Sequence, residues 1–76
     1  MEQEFIQAFK EAIEREGDIN LEDAFRNYEE WGSLAYLSVL AMIDENYGVQ
    51  IELDDFKKLV TVRDLMNEVF KRSGRL

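Results

Sequence analysis

Between Glu2 and Glu16, apolar residues fall at Phe5, Ile6, Phe9, Ala12 and Ile13, the three-and-four spacing of a helix that buries one face. This pattern predicts a first helix over residues 2–16, stopped by Gly17, which suits the left-handed turn at a helix C-terminus. From Asp18 to Gly32 the helical period lapses, yet Ile19, Leu21, Phe25, Tyr28 and Trp31 are too apolar for a solvated linker. Residues 17–32 are therefore expected to form a long packed loop, with a short helical turn over Leu21 to Phe25. Loops of this length are unusual inside a compact domain and often carry function.

Periodicity returns at Ser33, and residues 33–47 read as a second helix with Gly48 as its cap. Residues 53–59 read as a short helix and 61–71 as the last one. In that last helix Val62, Leu65, Met66, Val69 and Phe70 form an apolar stripe, and Thr61 with Asp64 has the spacing of a capping box. Val49-Gln50-Ile51 is extended; a strand over Val49 to Leu53 would have no partner strand and is rejected. The basic run Lys71-Arg72-Ser73-Gly74-Arg75 suits the negative end of a helix followed by a frayed tail. The order predicts an all-α bundle of three longer helices and one short helix, with a long loop between the first two, as a single domain over 1–76.

The second helix has more apolar surface than one core contact uses. Placing its residues about 100° apart puts Tyr36, Val39, Leu40, Ile43 and Tyr47 on one arc, enough to seat it on a core. Leu34, Leu37 and Ala41 fall on another arc, on the side of Ser33 and bordered by Ser38, Asp44 and Glu45. Two readings fit: a transient binding face rimmed by acids, or a central helix buried nearly all round, with Leu34 and Leu37 covered by the loop. Ser33 itself reads on position alone as an ordinary N-cap, whose hydroxyl would satisfy a free backbone N–H.

Composition narrows the chemistry. The chain has no cysteine and no histidine, which removes disulfides, thiolate zinc sites, cysteine nucleophiles and imidazole bases together. Seventy-six residues lie near the lower size for one unaided core, but a 46% apolar fraction supplies the packing. Seventeen acids against nine Lys and Arg give a net charge of −8, which repels phosphate backbones and anionic lipid and attracts basic proteins. No apolar run approaches the ~20 residues of a membrane span. Met1-Glu2-Gln3-Glu4 is acidic where a signal peptide is basic, so the expected location is the cytoplasm.

Read in order, Trp31-Gly32-Ser33-Leu34, the helix Ala35 to Tyr47, Gly48-Val49-Gln50-Ile51, Asp54-Asp55 and Thr61-Val62-Arg63-Asp64-Leu65 resemble the signature of acyl carrier proteins. The likeness runs without gaps from about Trp31 to Val69. It implies a non-catalytic carrier with a 4'-phosphopantetheine arm, taken from coenzyme A, on the serine that matches the family's D-S-L motif, Ser33. The arm would supply the thiol that the polypeptide lacks and hold an acyl or aminoacyl group as a thioester. The resemblance further implies a partner-binding strip of Leu34, Leu37 and Ala41, with Asp44 and Glu45 at its rim and Glu52, Asp54 and Asp55 as further acidic contacts. The partners implied are a phosphopantetheinyl transferase and acyl-transferring or acyl-activating enzymes with basic docking surfaces, met by a monomer in weak, salt-sensitive encounters.

Two positions depart from the pattern. The motif aspartate is Gly32 here, which supports an alternative reading as a carrier-like interaction module that is never modified. Ala35 and Ser38 stand where fatty-acid carriers often have acids, which points to a specialised carrier. Other function classes fit less well. Asp18, Asn20 and Glu29 match positions one, three and twelve of a calcium-binding EF-hand loop, but Asp23 occupies the sixth position, where the sharp turn needs glycine. No phosphate-cradling glycine loop and no nucleophile–base pair is present.

Overall fold

The computed structural model describes residues 1–74; Arg75, the end of the basic run, lies outside them. Helix α1 spans Glu2–Ala12 and is held by Phe5 and Phe9, both wholly buried, with Ile13 continuing their stripe just past the helix. It thus stops short of the expected residue 16, and Gly17 is not its cap. Glu14 takes the left-handed turn instead, with φ 56°. Its N–H donates to the Glu11 carbonyl and the Arg15 N–H donates to the Lys10 carbonyl, both at 3.1 Å, a closure that usually employs glycine.

The early stop frees Arg15 to organise the loop. Its guanidinium donates to the Asp18 carbonyl at 3.0 Å and to Glu30 at 2.9 Å, and it lies 4.1 Å from the centre of the Tyr28 ring. A left-handed residue with a side chain costs about 1–2 kcal/mol, and a glycine gives back part of that as lost chain entropy. Glu14→Gly is therefore expected to stabilise the fold by roughly 0.5–1 kcal/mol, read as a higher urea midpoint at unchanged slope.

Within the loop, the helical turn forms at Phe25–Asn27, as a single 3₁₀ turn, and not over Leu21 to Phe25. At Leu21 the chain makes only a single non-helical turn, closed by Asp23 N–H on the Asn20 carbonyl at 3.0 Å, because residues 21–25 bond to the segment before the last helix. Phe25 N–H donates to the Val60 carbonyl at 3.3 Å, Val62 N–H to Asp23 at 3.0 Å and Arg63 N–H to Leu21 at 2.8 Å. The Phe25 ring then fills the centre, 4.9 Å from Trp31, 5.7 Å from Phe56 and 6.2 Å from Phe9. Tyr28 closes this layer, buried, its hydroxyl donating to Asp23 at 2.7 Å. Burial first, and the Asp23 bond second, push the Tyr28 phenol up to about 12 from its ordinary 10.0. Because the folded state holds the neutral phenol, this stabilisation is complete below pH 10 and lost as pH rises toward 12. Urea midpoints measured across that window are expected to fall less steeply in Tyr28→Phe.

Helix α2 spans Ser33–Tyr47 and ends on Gly48, whose φ of 66° and N–H bond to the Asp44 carbonyl close it. It packs chiefly on α1, so Ala35 and Met42 are buried alongside Val39 and Ile43, while Tyr36, Leu40 and Tyr47 are half-buried. Helix α3 covers only Leu53–Phe56, not 53–59. Arg26 donates to the carbonyls of Phe56 and Leu59, which holds residues 57–59 in a tighter turn with Leu59 N–H bonded to Phe56 at 3.0 Å. Helix α4 is Val62–Arg72, with Thr61 as its cap outside the helix and one residue more at its end than expected. Thr61 and Asp64 form the reciprocal capping box, each bond 3.0 Å. Among the described residues there is no strand, only a single antiparallel bridge between Ala24 and Thr61, and no helix is long and apolar enough to cross a membrane.

Candidate functional site

Ser33 is the first residue of α2, and the cap position before it belongs to Gly32, whose backbone is extended at φ 178°. The reading of Ser33 as an N-cap therefore does not hold. The Gly32 carbonyl accepts the first helical bond, from Tyr36 N–H at 2.9 Å, and no side chain caps the turn. The N–H groups of Ser33, Leu34 and Ala35 consequently point outward without helical acceptors, at the positive end of the helix dipole. The Ser33 hydroxyl is exposed and makes no hydrogen bond among the described residues.

The exposed hydroxyl stands on a firm base. Trp31, two residues earlier, is stacked between Phe9 at 6.5 Å and Phe56 at 6.3 Å, and its N–H donates to the Tyr28 carbonyl at 3.0 Å. Ala35, two residues later, is buried against the core. The chain surfaces only over Gly32 to Leu34, so the turn that presents Ser33 is fixed on both sides by packing.

Along α2 from Ser33, Leu34 is 75% exposed and Leu37 59% exposed, and Ala41, Asp44 and Glu45 are exposed as well. The loop does not cover them, which overturns the reading of α2 as a helix buried all round. The strip exists because α1 takes the Ala35–Met42 side of the helix and the aromatic cluster takes the Tyr36 side, leaving one arc without a neighbour. Glu52 and Asp54 are exposed and flank Leu53, 52% exposed, an apolar residue that the helical pattern does not single out because α3 is too short to show a period. Asp55 differs from its neighbours: it is half-buried and ion-paired with Arg72 at 2.9 Å. Arg72 also bonds Glu68 at 2.6 Å and the Gln50 carbonyl at 3.0 Å, so it ties α4 to the start of α3 and draws on the Asp55 charge within the fold. Asp23, at the sixth place of the EF-hand spacing, is taken by the Tyr28 hydroxyl. Among the described residues no three acids are grouped to hold a metal ion.

The sequence model of the family described as "Phosphopantetheine attachment site" matches residues 3–69. The chain belongs to this family. Its fold is similar to the solution NMR structure of a holo acyl carrier protein from Geobacter metallireducens, with a TM-score of 0.80 at 20% identity, over 96% of this chain and 85% of that one. At that identity the likeness concerns the fold alone, and it agrees with the expected three longer helices, short helix and long first loop. We find no match among curated proteins. Carrier domains of this family are generally non-catalytic; phosphopantetheinyl transferases modify them, and they serve partner enzymes.

The residues present fit the group that gives the family its description. A phosphodiester at the start of α2 would meet outward N–H donors and the positive end of the helix, the environment that favours an anion. An added β-carbon at Gly32 would have nothing within 4 Å, so the approach to the Ser33 hydroxyl is open. With no cysteine in the chain, the carrier depends on its arm for any thiol.

Proposed function

We propose that this carrier bears 4'-phosphopantetheine on Ser33 and presents an acyl or aminoacyl group to partner enzymes of fatty acid, polyketide or related biosynthesis in the cytoplasm. The observation that carries the reading is an exposed, unbonded serine hydroxyl at an uncapped helix N-terminus, rooted between Trp31 and Ala35. In the modification, the Ser33 oxygen bonds to the β-phosphorus of coenzyme A. The adenosine 3',5'-bisphosphate leaves, and the hydroxyl proton passes to a base of the transferase. The attached arm supplies a thiol that holds cargo as a thioester.

The chain's own part is presentation. Leu34, Leu37 and Ala41 offer an apolar strip, Asp44 and Glu45 edge it, and Glu52, Leu53 and Asp54 extend the same acid-and-apolar character. A basic partner would be steered by these charges and released easily, since exposed pairs are worth little and are screened by salt. Asp55 contributes less free charge than Asp54 because Arg72 engages it.

Incubation with a phosphopantetheinyl transferase and coenzyme A, followed by intact-mass measurement, tests the assignment: the expected result is the gain of one phosphopantetheine. The second reading, an unmodified interaction module, is favoured by Gly32 in place of the motif aspartate, and an unchanged mass with several transferases would establish it instead.

A further inference from the structure

Two adjoining clefts lie between α1 and α2. One, of about 280 Å³, starts beside the candidate serine and is lined by Ala12, Ile13, Leu34, Ala35 and Ser38, with Glu14 and Glu30 also in its wall. The next, of about 330 Å³, continues along Ala8, Ala41 and Met42 to Asn46, with Glu11 and Glu45 at its edges. Ala12 and Ser38 line both, so the two form one trough. Small side chains facing one another keep the helices in contact at depth while leaving the space above them open.

We propose that the phosphopantetheine arm, once carried by Ser33, rests in this trough, with Ser38 as the positioning residue for its amides. The proposal depends on the reading of Ser33 given above. From Leu34 to Asn46 the trough follows α2 for about 18 Å at about 1.5 Å per residue. An arm equivalent to about five residues of extended chain reaches roughly 17 Å. The chemistry also agrees, because the arm alternates methyl and methylene groups with amides, and the trough offers alanine and leucine carbon around the Ser38 hydroxyl, with carboxylates along its walls. Ser38 is half-buried and has no protein partner among the described residues.

Other resting places are less suited. The interior is filled by the rings of Trp31, Phe25, Phe56 and Tyr36. The cleft of about 370 Å³ beside Val49 and Ile51 meets α2 only from Leu40 onward, away from Ser33. Two carboxylates stand at the entrance of the trough: Glu30, paired with Arg15, and the exposed Glu14, whose charge lies in solvent.

The test compares amide spectra of the unmodified chain and of the chain loaded by a transferase, with loading confirmed by mass. Shift changes at Ala8, Ala12 and Met42 are expected to exceed those at Val60 and Asn67 several-fold, with nuclear Overhauser contacts from arm methylenes to the Ala12 methyl. Ser38→Leu, which fills the trough, is expected to gain the same mass and lose the α1 changes. A loaded chain whose changes are confined to residues 33–37, or centred on Leu40, Val49 and Ile51, overturns the proposal while leaving Ser33 as the attachment site. Absence of any mass gain overturns both.

Discussion

Ser33→Ala is expected to abolish the mass gain from coenzyme A while leaving the fold unchanged. The two effects separate because of where the structure puts the residue. An N-cap serine contributes about 1 kcal/mol through its side-chain bond, so its loss would confuse chemistry with stability. Ser33 lies one position further in, exposed and unbonded, so the urea midpoint should move by no more than about 0.5 kcal/mol equivalent. Retained mass gain in this variant would move the assignment to another hydroxyl, Ser38 or Ser73. Gly32→Asp is the complementary change. The extended backbone accepts any residue and a β-carbon there meets open space, so the fold tolerates the acid. If the family's aspartate helps a transferase recognise its target, the time course of modification should quicken several-fold in this variant, with the same final mass.

Phe25→Ala is expected to destabilise the domain by about 3–5 kcal/mol, the range for emptying a large buried aromatic site. A chain of this length has roughly 4–11 kcal/mol in total, so at least about a quarter of its stability would go. The effect should be at the top of the range because Phe25 touches Phe9, Trp31 and Phe56, which belong to α1, the loop and α3, and no neighbouring backbone can collapse into all three contacts. Urea unfolding followed by Trp31 fluorescence reads it directly. A loss below about 1.5 kcal/mol would show that the site closes up and that the aromatic cluster is not what fixes the neck before Ser33.

Helix existence was legible in the sequence because each long helix carries its own repeat of apolar residues, and the capping box of α4 is written in adjacent positions. Ends were less legible. Gly17 is the better stop signal for α1, yet the chain turns at Glu14, since Arg15 has to reach Glu30 and the Tyr28 ring, partners that no local pattern announces. The helical turn lies at Phe25–Asn27, and Leu21 keeps only an isolated turn, because residues 21–25 bond to residues 60–63, about forty positions away. For the candidate site, the wheel identified the arc holding Leu34, Leu37 and Ala41 but could not say what covered it. It also left Ala35 and Met42 out of the core, because only the placement of α1 buries that side. Asp55 looked equivalent to Asp54 for the same reason: Arg72, which engages it, is seventeen residues further along the chain.

The stacked Trp31 has a consequence for how cargo would be delivered. A tether rooted in a loose segment adds the segment's wandering to its own and spreads its end over a larger volume. Here the root lies two residues from a ring held between Phe9 and Phe56, so once the arm leaves its resting place the search volume would be set by the arm alone. For short flexible tethers the local concentration of the tethered group lies in the millimolar range. A docked enzyme would meet one substrate end at that concentration whatever the bulk amount of carrier, and loosening the stack would dilute it without touching a single atom of the arm.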